Sequence, residues 1–164
     1  MSRTHTVAES PLGDLILVAE DSTLSGVYFP GHWTSPDPAT FGARTRRRLA
    51  QVEEQLREYF AGERTSFELQ LRTIATATAF QRLVWDLLDR IPYGQTTTYG
   101  SLAAELGNPM LARKVGNAVA HNPLSVIVPC HRVVGSDGRL TGYAGGLQRK
   151  RFLLDLEALQ QTVT

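Results

Sequence analysis

The hydrophobic pattern of the chain changes near residue 75, and this change divides the 164 residues into two unlike halves. In residues 5–29, short apolar runs end in turns, which predicts two strands joined as a hairpin. Residues 44–60 repeat apolar side chains at helical spacing, and residues 65–72 alternate like one further strand. We therefore predict that residues 1–77 form a small antiparallel sheet with one helix.

The second half, residues 78–164, is predicted to be mainly helical. Thr78 and Gln81 match a capping box at the start of one helix, and residues 147–161 repeat apolar side chains at helical spacing near the end of the chain. A β-branched stretch at residues 125–128 predicts a short strand between them. Together the two halves predict an α+β chain of two lobes.

Two short helices within the second half are joined by a tight glycine turn. The first is predicted to end at Gly107, and Asn108 with Pro109 is a typical start for the second. Arg113 and Lys114 lie on the second helix, away from most of its apolar stripe. This pattern is typical of a DNA-binding helix-turn-helix, although an ordinary helical hairpin remains an alternative.

Composition and charge exclude several classes of protein. The chain has one cysteine, so an intramolecular disulfide and a cysteine-rich structural zinc site are impossible. Because no disulfide is possible, we expect a protein of the reducing cytoplasm. No apolar run approaches about 18 residues, so we expect no membrane span. The net charge is +1 overall, but it is −2 in the first half and +3 in the second. Any polyanion should therefore meet the second half.

Two further groups of residues have weak binding potential. Arg44 and Arg46–Arg48 could bind phosphate, but such a cluster at a helix end is more often solvated. His5 and His32 alone make a poor metal site, and we expect neither a metal nor a cofactor.

The one cysteine, Cys130, lies in the sequence VPCHRVVG at residues 128–135. A lone cysteine is often a small buried hydrophobe, but a reactive thiolate needs a base or positive surroundings. His131 adjoins it, yet adjacent side chains on a strand point to opposite faces, so a bridging water or a sharp turn would be needed. Glu157 lies on a largely apolar helical face, where it could orient His131 or sit at the edge in water.

This stretch closely matches the active-site motif PCHRVVG of the O6-alkylguanine-DNA alkyltransferase family, which the chain resembles. The resemblance continues through residues 80–109, 112–123 and 141–157, and it covers residues 78–157 well. The first half resembles the family only in its size, its SPLG start and the order of its elements. A seven-residue motif with ordered flanking blocks is a specific signal.

The resemblance implies a fold and a reaction. Residues 1–77 would form a ribonuclease H-like lobe, and residues 78–164 a winged-helix or helix-turn-helix lobe that carries the active site. Cys130 would accept the alkyl group from O6 of guanine in one irreversible step, so the protein is consumed stoichiometrically. His131 would take the thiol proton through a bridging water, and Glu157 would hydrogen-bond to His131.

Other site residues follow from the same resemblance. Asn122 would fix the active-site turn, and Tyr99 would give its proton to the leaving guanine. Many family members have serine where this chain has Ala144. The backbone N–H there would still contact O6, but any contribution of the serine hydroxyl to the choice of alkyl group is lost. The base would be surrounded by Val133, Tyr143, Ala144 and Lys150.

The target base is out of reach inside a stacked duplex, so the resemblance implies that the nucleotide is flipped out. Arg113 matches the arginine finger of the family, and its helix would enter the minor groove of double-stranded DNA. We expect a monomer without an obligate protein partner, which could bind DNA cooperatively. The expected DNA contacts are Arg113, Lys114, Gly116, Ala118, Val119 and Arg132, although Arg132 also suits a bracing role in the active-site turn.

Three other functions compete with alkyl transfer. Alkyltransferase-like proteins bind alkylated bases without removing the group, but they carry tryptophan where this chain has Cys130. A helix-turn-helix transcription factor usually needs a dimer and a charged recognition helix. A cysteine hydrolase would turn over a small ester repeatedly.

Overall fold

The computed structural model describes residues 3–31, 34, 36–45 and 49–163. Within these residues the first half forms a four-stranded sheet of order β3-β2-β1-β4. Strands β1, β2 and β3 are an antiparallel meander, and β4 pairs in parallel with β1. The predicted hairpin is confirmed. The strands are β1 (Arg3–Ala8), β2 (Leu15–Glu20), β3 (Thr23–Tyr28) and β4 (Ala43–Arg44).

One helix, α1 (Ala50–Phe60), packs its apolar face on this sheet. The predicted start at residue 44 is wrong, because Arg44 belongs to β4 and the helix begins six residues later. The arginine cluster at 46–48 and the predicted weak metal ligand His32 lie outside the described residues.

The predicted strand at residues 65–72 is wrong as well. This segment is extended chain with a single bridge, between Leu24 and Leu71. The buried Gln55 side chain of α1 takes the place of a neighbouring strand: its amide donates to Glu68 O at 3.1 Å and accepts from Glu68 N at 2.9 Å. The backbone N–H and C=O of Glu68 are therefore hydrogen-bonded by a side chain and do not need a paired β-strand.

The second half is mainly helical, as predicted. The capping box at Thr78 and Gln81 is present. No helix in the described part of the chain is long and apolar enough to cross a membrane. The elements are α2 (Ala79–Asp89), β5 (Thr97–Thr98), α3 (Tyr99–Glu105), α4 (Ala112–Ala120), β6 (Val133–Val134) and α5 (Leu147–Val163), with β5 and β6 paired in parallel.

The stretch at residues 125–128, predicted as a strand, is instead a tight turn. Val126 has a φ of 72°, which β-branched residues rarely adopt and which costs about 1–3 kcal/mol. The Asn122 side chain holds the turn, because its amide donates to Val128 O at 2.9 Å and accepts from Leu124 N at 3.1 Å. We call residues 122–130 the active-site turn, since it delivers Cys130 into the interior.

Arg149 of α5 joins the two halves of the molecule. Its guanidinium donates to Leu12 O at 3.0 Å, to Pro30 O at 2.9 Å and to Gly145 O at 3.0 Å. The same group lies over the Phe29 ring, 5.0 Å from its centroid. One side chain therefore fixes two turns of the first half against the loop that precedes α5.

We expect Arg149→Leu to lower the free energy of unfolding by about 2 kcal/mol or more, because a charged donor loses three carbonyl acceptors. The measurement is urea unfolding. Arg151→Leu on the same helix is the matched control: Arg151 is exposed and lies 3.9 Å from Asp155, so its loss should change stability by less than about 0.5 kcal/mol. Equal effects of the two variants would contradict the joining role.

Candidate active site

Cys130 is buried at the end of the active-site turn, where it begins a single 3-10 turn over Cys130–Arg132. Burial raises the pKa of its thiol, while hydrogen bonds from Asn122 and Tyr143 and the charge of Lys150 act in the opposite direction. Burial prevails, so the free protein holds a protonated thiol at neutral pH. A thiol in this state needs a base before it can attack.

His131 and Glu157 form a buried hydrogen-bonded pair. His131 Nε2 lies 2.7 Å from Glu157 Oε2, and both side chains are at most 1% exposed. Because an ionised carboxylate only accepts hydrogen bonds, we infer that Nε2 carries the ring proton and Nδ1 keeps a lone pair. Among the described residues, the buried Nδ1 has no hydrogen-bond partner. His131 can therefore accept a proton at Nδ1.

Arg132 balances the charge of Glu157. Its Nε donates to Oε1 at 2.8 Å, its Nη2 donates to Oε2 at 3.0 Å, and its Nη1 donates to Ile91 O at 2.6 Å. Burial alone would raise the pKa of Glu157, but hydrogen bonds from His131 and Arg132 and the charge of Arg132 lower it to about 2. Burial lowers the pKa of His131, although Glu157 acts in the opposite direction, so the imidazole is neutral.

These two shifts predict that stability falls on acidification. In the unfolded chain, histidine and glutamate bind protons with their ordinary pKa values of 6.5 and 4.5. In the folded protein both pKa values are lower, so acid protonates the unfolded chain first and favours unfolding. Stability that is full above pH 6.5 should fall as pH drops, with Glu157 alone accounting for about 3 kcal/mol between pH 4.5 and 2. Urea unfolding across this range measures it. A Glu157→Gln variant with an unchanged slope would contradict the assignment.

Three predicted pocket residues surround Cys130. The Tyr99 hydroxyl accepts from Thr141 Oγ1 at 3.5 Å, and the buried Lys150 Nζ donates to Thr141 O at 2.7 Å. Burial lowers the pKa of Lys150 to about 8 and raises that of Tyr99, so Tyr99 stays protonated and can donate. Tyr143, which is also buried, opposes the rise in the pKa of the Cys130 thiol that burial causes. Val133 and Ala144, the other two residues predicted to line the pocket, are also buried.

The candidate nucleic-acid face lies on α4, where Arg113 and Lys114 are exposed and Gly116 is half-buried. Lys114 Nζ lies 4.3 Å from the centroid of the Phe80 ring. The side chains of two other predicted contacts, Ala118 and Val119, are 2% and 5% exposed and pack in the core. We correct these two, because their side chains cannot reach a ligand on this face.

Arg132 is corrected for the same reason. Its side chain is buried, and its bonds to Glu157 and to Ile91 O occupy the guanidinium. The bracing role that the sequence also allowed is the one that fits this environment. Within the described residues, no group of three or more His, Cys, Asp or Glu side chains could hold a metal ion.

Sequence reasoning missed two residues that donate hydrogen bonds to Glu157. Tyr59 of α1 donates its hydroxyl to Glu157 Oε2 at 2.6 Å, and Gly94 N donates to Oε1 at 3.2 Å. Tyr59 had stood out only as a member of an apolar stripe. Nothing near it in the sequence indicates a partner 98 residues further on.

The fold and the site together define a two-lobed α+β protein with a buried cysteine next to a buried histidine–glutamate pair. Residues 4–73 match the model of the 6-O-methylguanine DNA methyltransferase, ribonuclease-like domain. Residues 79–159 match the model of the 6-O-methylguanine DNA methyltransferase, DNA binding domain. The chain belongs to the 6-O-methylguanine DNA methyltransferase family, and the fold predicted from the sequence is confirmed.

Known relatives match nearly the whole chain. Proteins named methylated-DNA–protein-cysteine methyltransferase are 46% identical in Mycobacterium bovis, covering 93% of this chain and 91% of the relative, and 41% identical in Bacillus subtilis, covering 94% and 95%. The crystal structure of Mycobacterium tuberculosis OGT in complex with DNA is 41% identical, with a TM-score of 0.87 over 96% of this chain and 94% of that one.

Proposed function

We propose that this protein repairs DNA by moving an alkyl group from O6 of guanine, chiefly the methyl group of O6-methylguanine, to Sγ of its own Cys130. The observation that carries the proposal is the buried thiol next to a His131–Glu157 pair whose Nδ1 can accept a proton. His131 takes the thiol proton through a bridging water, and Glu157 stabilises the imidazolium that forms. The sulfur attacks the alkyl carbon, and the bond from carbon to O6 breaks.

The leaving group is a guanine anion, which departs readily only if charge is neutralised as it develops. Tyr99 serves as the donor to N3, since its raised pKa keeps the phenol protonated. The base lies among Val133, Tyr143, Ala144 and Lys150, and the backbone N–H of Ala144 contacts O6. The product is a thioether, so each molecule reacts once.

DNA is held on the exposed face of α4. Arg113 enters the stack where the flipped nucleotide has left, Lys114 contacts phosphate, and Gly116 permits close approach to the minor groove. These contacts depend little on the base sequence of the DNA, which suits a protein that must repair lesions at any position. We further propose a monomer that acts in the cytoplasm, where reducing conditions keep a single thiol reactive.

The test is the mass of the intact protein after mixing with duplex DNA that holds one O6-methylguanine. We expect a gain of one CH2 unit, localised to Cys130 and saturating at one per protein, and no gain with unmodified duplex. Tight binding of the modified duplex without any gain of mass would contradict the proposal and indicate a lesion-binding protein. Repeated turnover of a small ester would indicate a hydrolase.

We expect Arg113→Ala to slow transfer from duplex DNA by about 10- to 100-fold, because the finger offsets part of the few kcal/mol that flipping costs. Transfer from the free O6-methylguanine base, which needs no flipping, should be unchanged. The measurement is the second-order rate constant with each substrate. Arg57→Ala removes an exposed arginine from α1 and should leave both rate constants unchanged. Equal slowing of transfer from duplex DNA and from the free base would contradict the proposed role of Arg113 in base flipping.

A further inference from the structure

We propose that Tyr59, in the first half of the chain, is a positioning residue for alkyl transfer: its hydroxyl orients the Glu157 carboxylate and moderates its pull on His131. The proposal rests on the proposed role of His131 as the base. It makes residues 1–77 a functional part of the active site rather than a scaffold alone.

The hydrogen bond between Tyr59 and Glu157 is buried, and aromatic rings pack around the tyrosine. The Tyr59 side chain is completely buried, and its hydroxyl donates to Glu157 Oε2 at 2.6 Å. Its ring centroid lies 5.4 Å from that of Phe60 and 5.5 Å from that of Phe67. An aromatic ring packed in this way has little freedom to rotate. The hydroxyl is therefore held at one point, and the carboxylate is held with it.

Tyr59 shares its acceptor atom with the base. Oε2 of Glu157 accepts from Tyr59 Oη at 2.6 Å, from His131 Nε2 at 2.7 Å and from Arg132 Nη2 at 3.0 Å. Each donor draws negative charge from that oxygen and reduces what is left to stabilise an imidazolium. Without the tyrosine hydroxyl, Oε2 would attract the Nε2 proton more strongly, and His131 would hold a second proton at higher pH.

Several other charged or titratable groups surround His131. Glu157 and Lys150 approach from α5, and Arg132 belongs to its own turn. Tyr93, which follows α2, lies against Arg132 rather than His131. Tyr59 reaches the pair from α1. Burial and the neighbouring carboxylate raise the pKa of its phenol, so Tyr59 remains a donor throughout the working pH range. Its effect on the base is constant, whereas that of Lys150 changes with pH.

The experiment compares Tyr59→Phe with the wild-type protein and with Tyr28→Phe. Both substitutions remove one phenolic oxygen and keep the ring. Tyr28 is also buried in the first half, but it stacks on Phe41 in a separate cluster. The single-turnover rate of methyl transfer is measured at saturating methylated duplex across the acidic and neutral range, together with the melting temperature of each protein.

We expect the acidic limb of the Tyr59→Phe profile to move to higher pH by on the order of one unit, since the variant loses a hydrogen bond to a charged group. The rate on the plateau should change only a few-fold. A purely structural role would lower the melting temperature and leave the shape of the profile unchanged. Superimposable profiles, or an equal shift in Tyr28→Phe, would overturn the proposal.

NMR titration of isotope-labelled histidine in the free protein separates this proposal from the proposed function. The His131 resonance should titrate at higher pH in Tyr59→Phe than in the wild type, whether or not DNA is present. An unchanged titration overturns the role of Tyr59. A wild-type protein that never gains mass from methylated DNA overturns the proposed function instead, and the histidine titration still decides the proposal about Tyr59.

Discussion

Replacing Cys130 with alanine is expected to abolish alkyl transfer completely while leaving the binding of methylated duplex DNA intact. The chain has no other cysteine, and the buried thiol is the proposed nucleophile, which the His131–Glu157 pair would activate. The proposed DNA contacts lie on α4, so deleting Sγ should not disturb them. Loss of one buried sulfur and its hydrogen bonds should cost about 1 kcal/mol of stability, too little to unfold the protein.

Two measurements check this expectation. The intact mass after prolonged incubation with methylated duplex should not change, and the dissociation constant for that duplex should stay within a few-fold of the wild-type value. Cys130→Ser is the matched control, because it keeps a hydrogen-bonding group but offers an alcohol that is far harder to ionise. It should bind equally well and be inactive. Any gain of mass in Cys130→Ala would point to another acceptor residue.

The sequence allowed the central part of the site to be predicted because its chemistry is conspicuous. A carboxylate on an apolar helical face requires a hydrogen-bond partner, and His131 Nε2 lies 2.7 Å from Glu157 Oε2. The resemblance to a known family gave the pairing, and the apolar spacing of α5 explains why it is buried. Asn122 was expected to fix the active-site turn, and its two hydrogen bonds across that turn do so.

The failed predictions concern residues whose conformation is decided by distant partners. Residues 125–128 are β-branched and locally favour a strand, but the Asn122 amide closes the backbone into a turn and forces Val126 to positive φ. Val119 was expected to contact DNA, but it lies on the apolar face of α4 and is buried. The apolar face of a short helix must be buried, so helical spacing is the better guide to this residue.

Arg132 and Tyr59 show a different limit. An arginine next to a nucleophile suggests a nucleic-acid contact, yet a buried Glu157 needs a compensating positive charge, and Arg132 is the neighbour that supplies it. Tyr59 lies 98 residues before its acceptor. Only the packing of α1 against the second half brings the two together, and no pattern in the sequence near either residue predicts that packing.

Glu157→Gln is expected to be the most damaging change that leaves the thiol in place. The amide oxygen takes the place of Oε2, where three donors converge, and still accepts from His131 Nε2. A neutral amide, however, cannot stabilise the imidazolium that forms when His131 takes the thiol proton. Transfer at neutral pH should slow by on the order of 10²- to 10⁴-fold, while binding of methylated duplex should be unchanged.

The same substitution should also destabilise the protein, since the buried Arg132 guanidinium keeps its charge and loses its counter-ion. Breaking a buried pair in this way costs about 3–5 kcal/mol. Glu58→Gln is the matched control: Glu58 pairs with Arg64 at 3.0 Å, both are partly exposed, and such pairs contribute at most about 1 kcal/mol. Glu157→Gln with a near wild-type transfer rate would contradict the assignment of His131 as the base. Full stability in that variant would instead show that Arg132 does not depend on Glu157 for its charge balance.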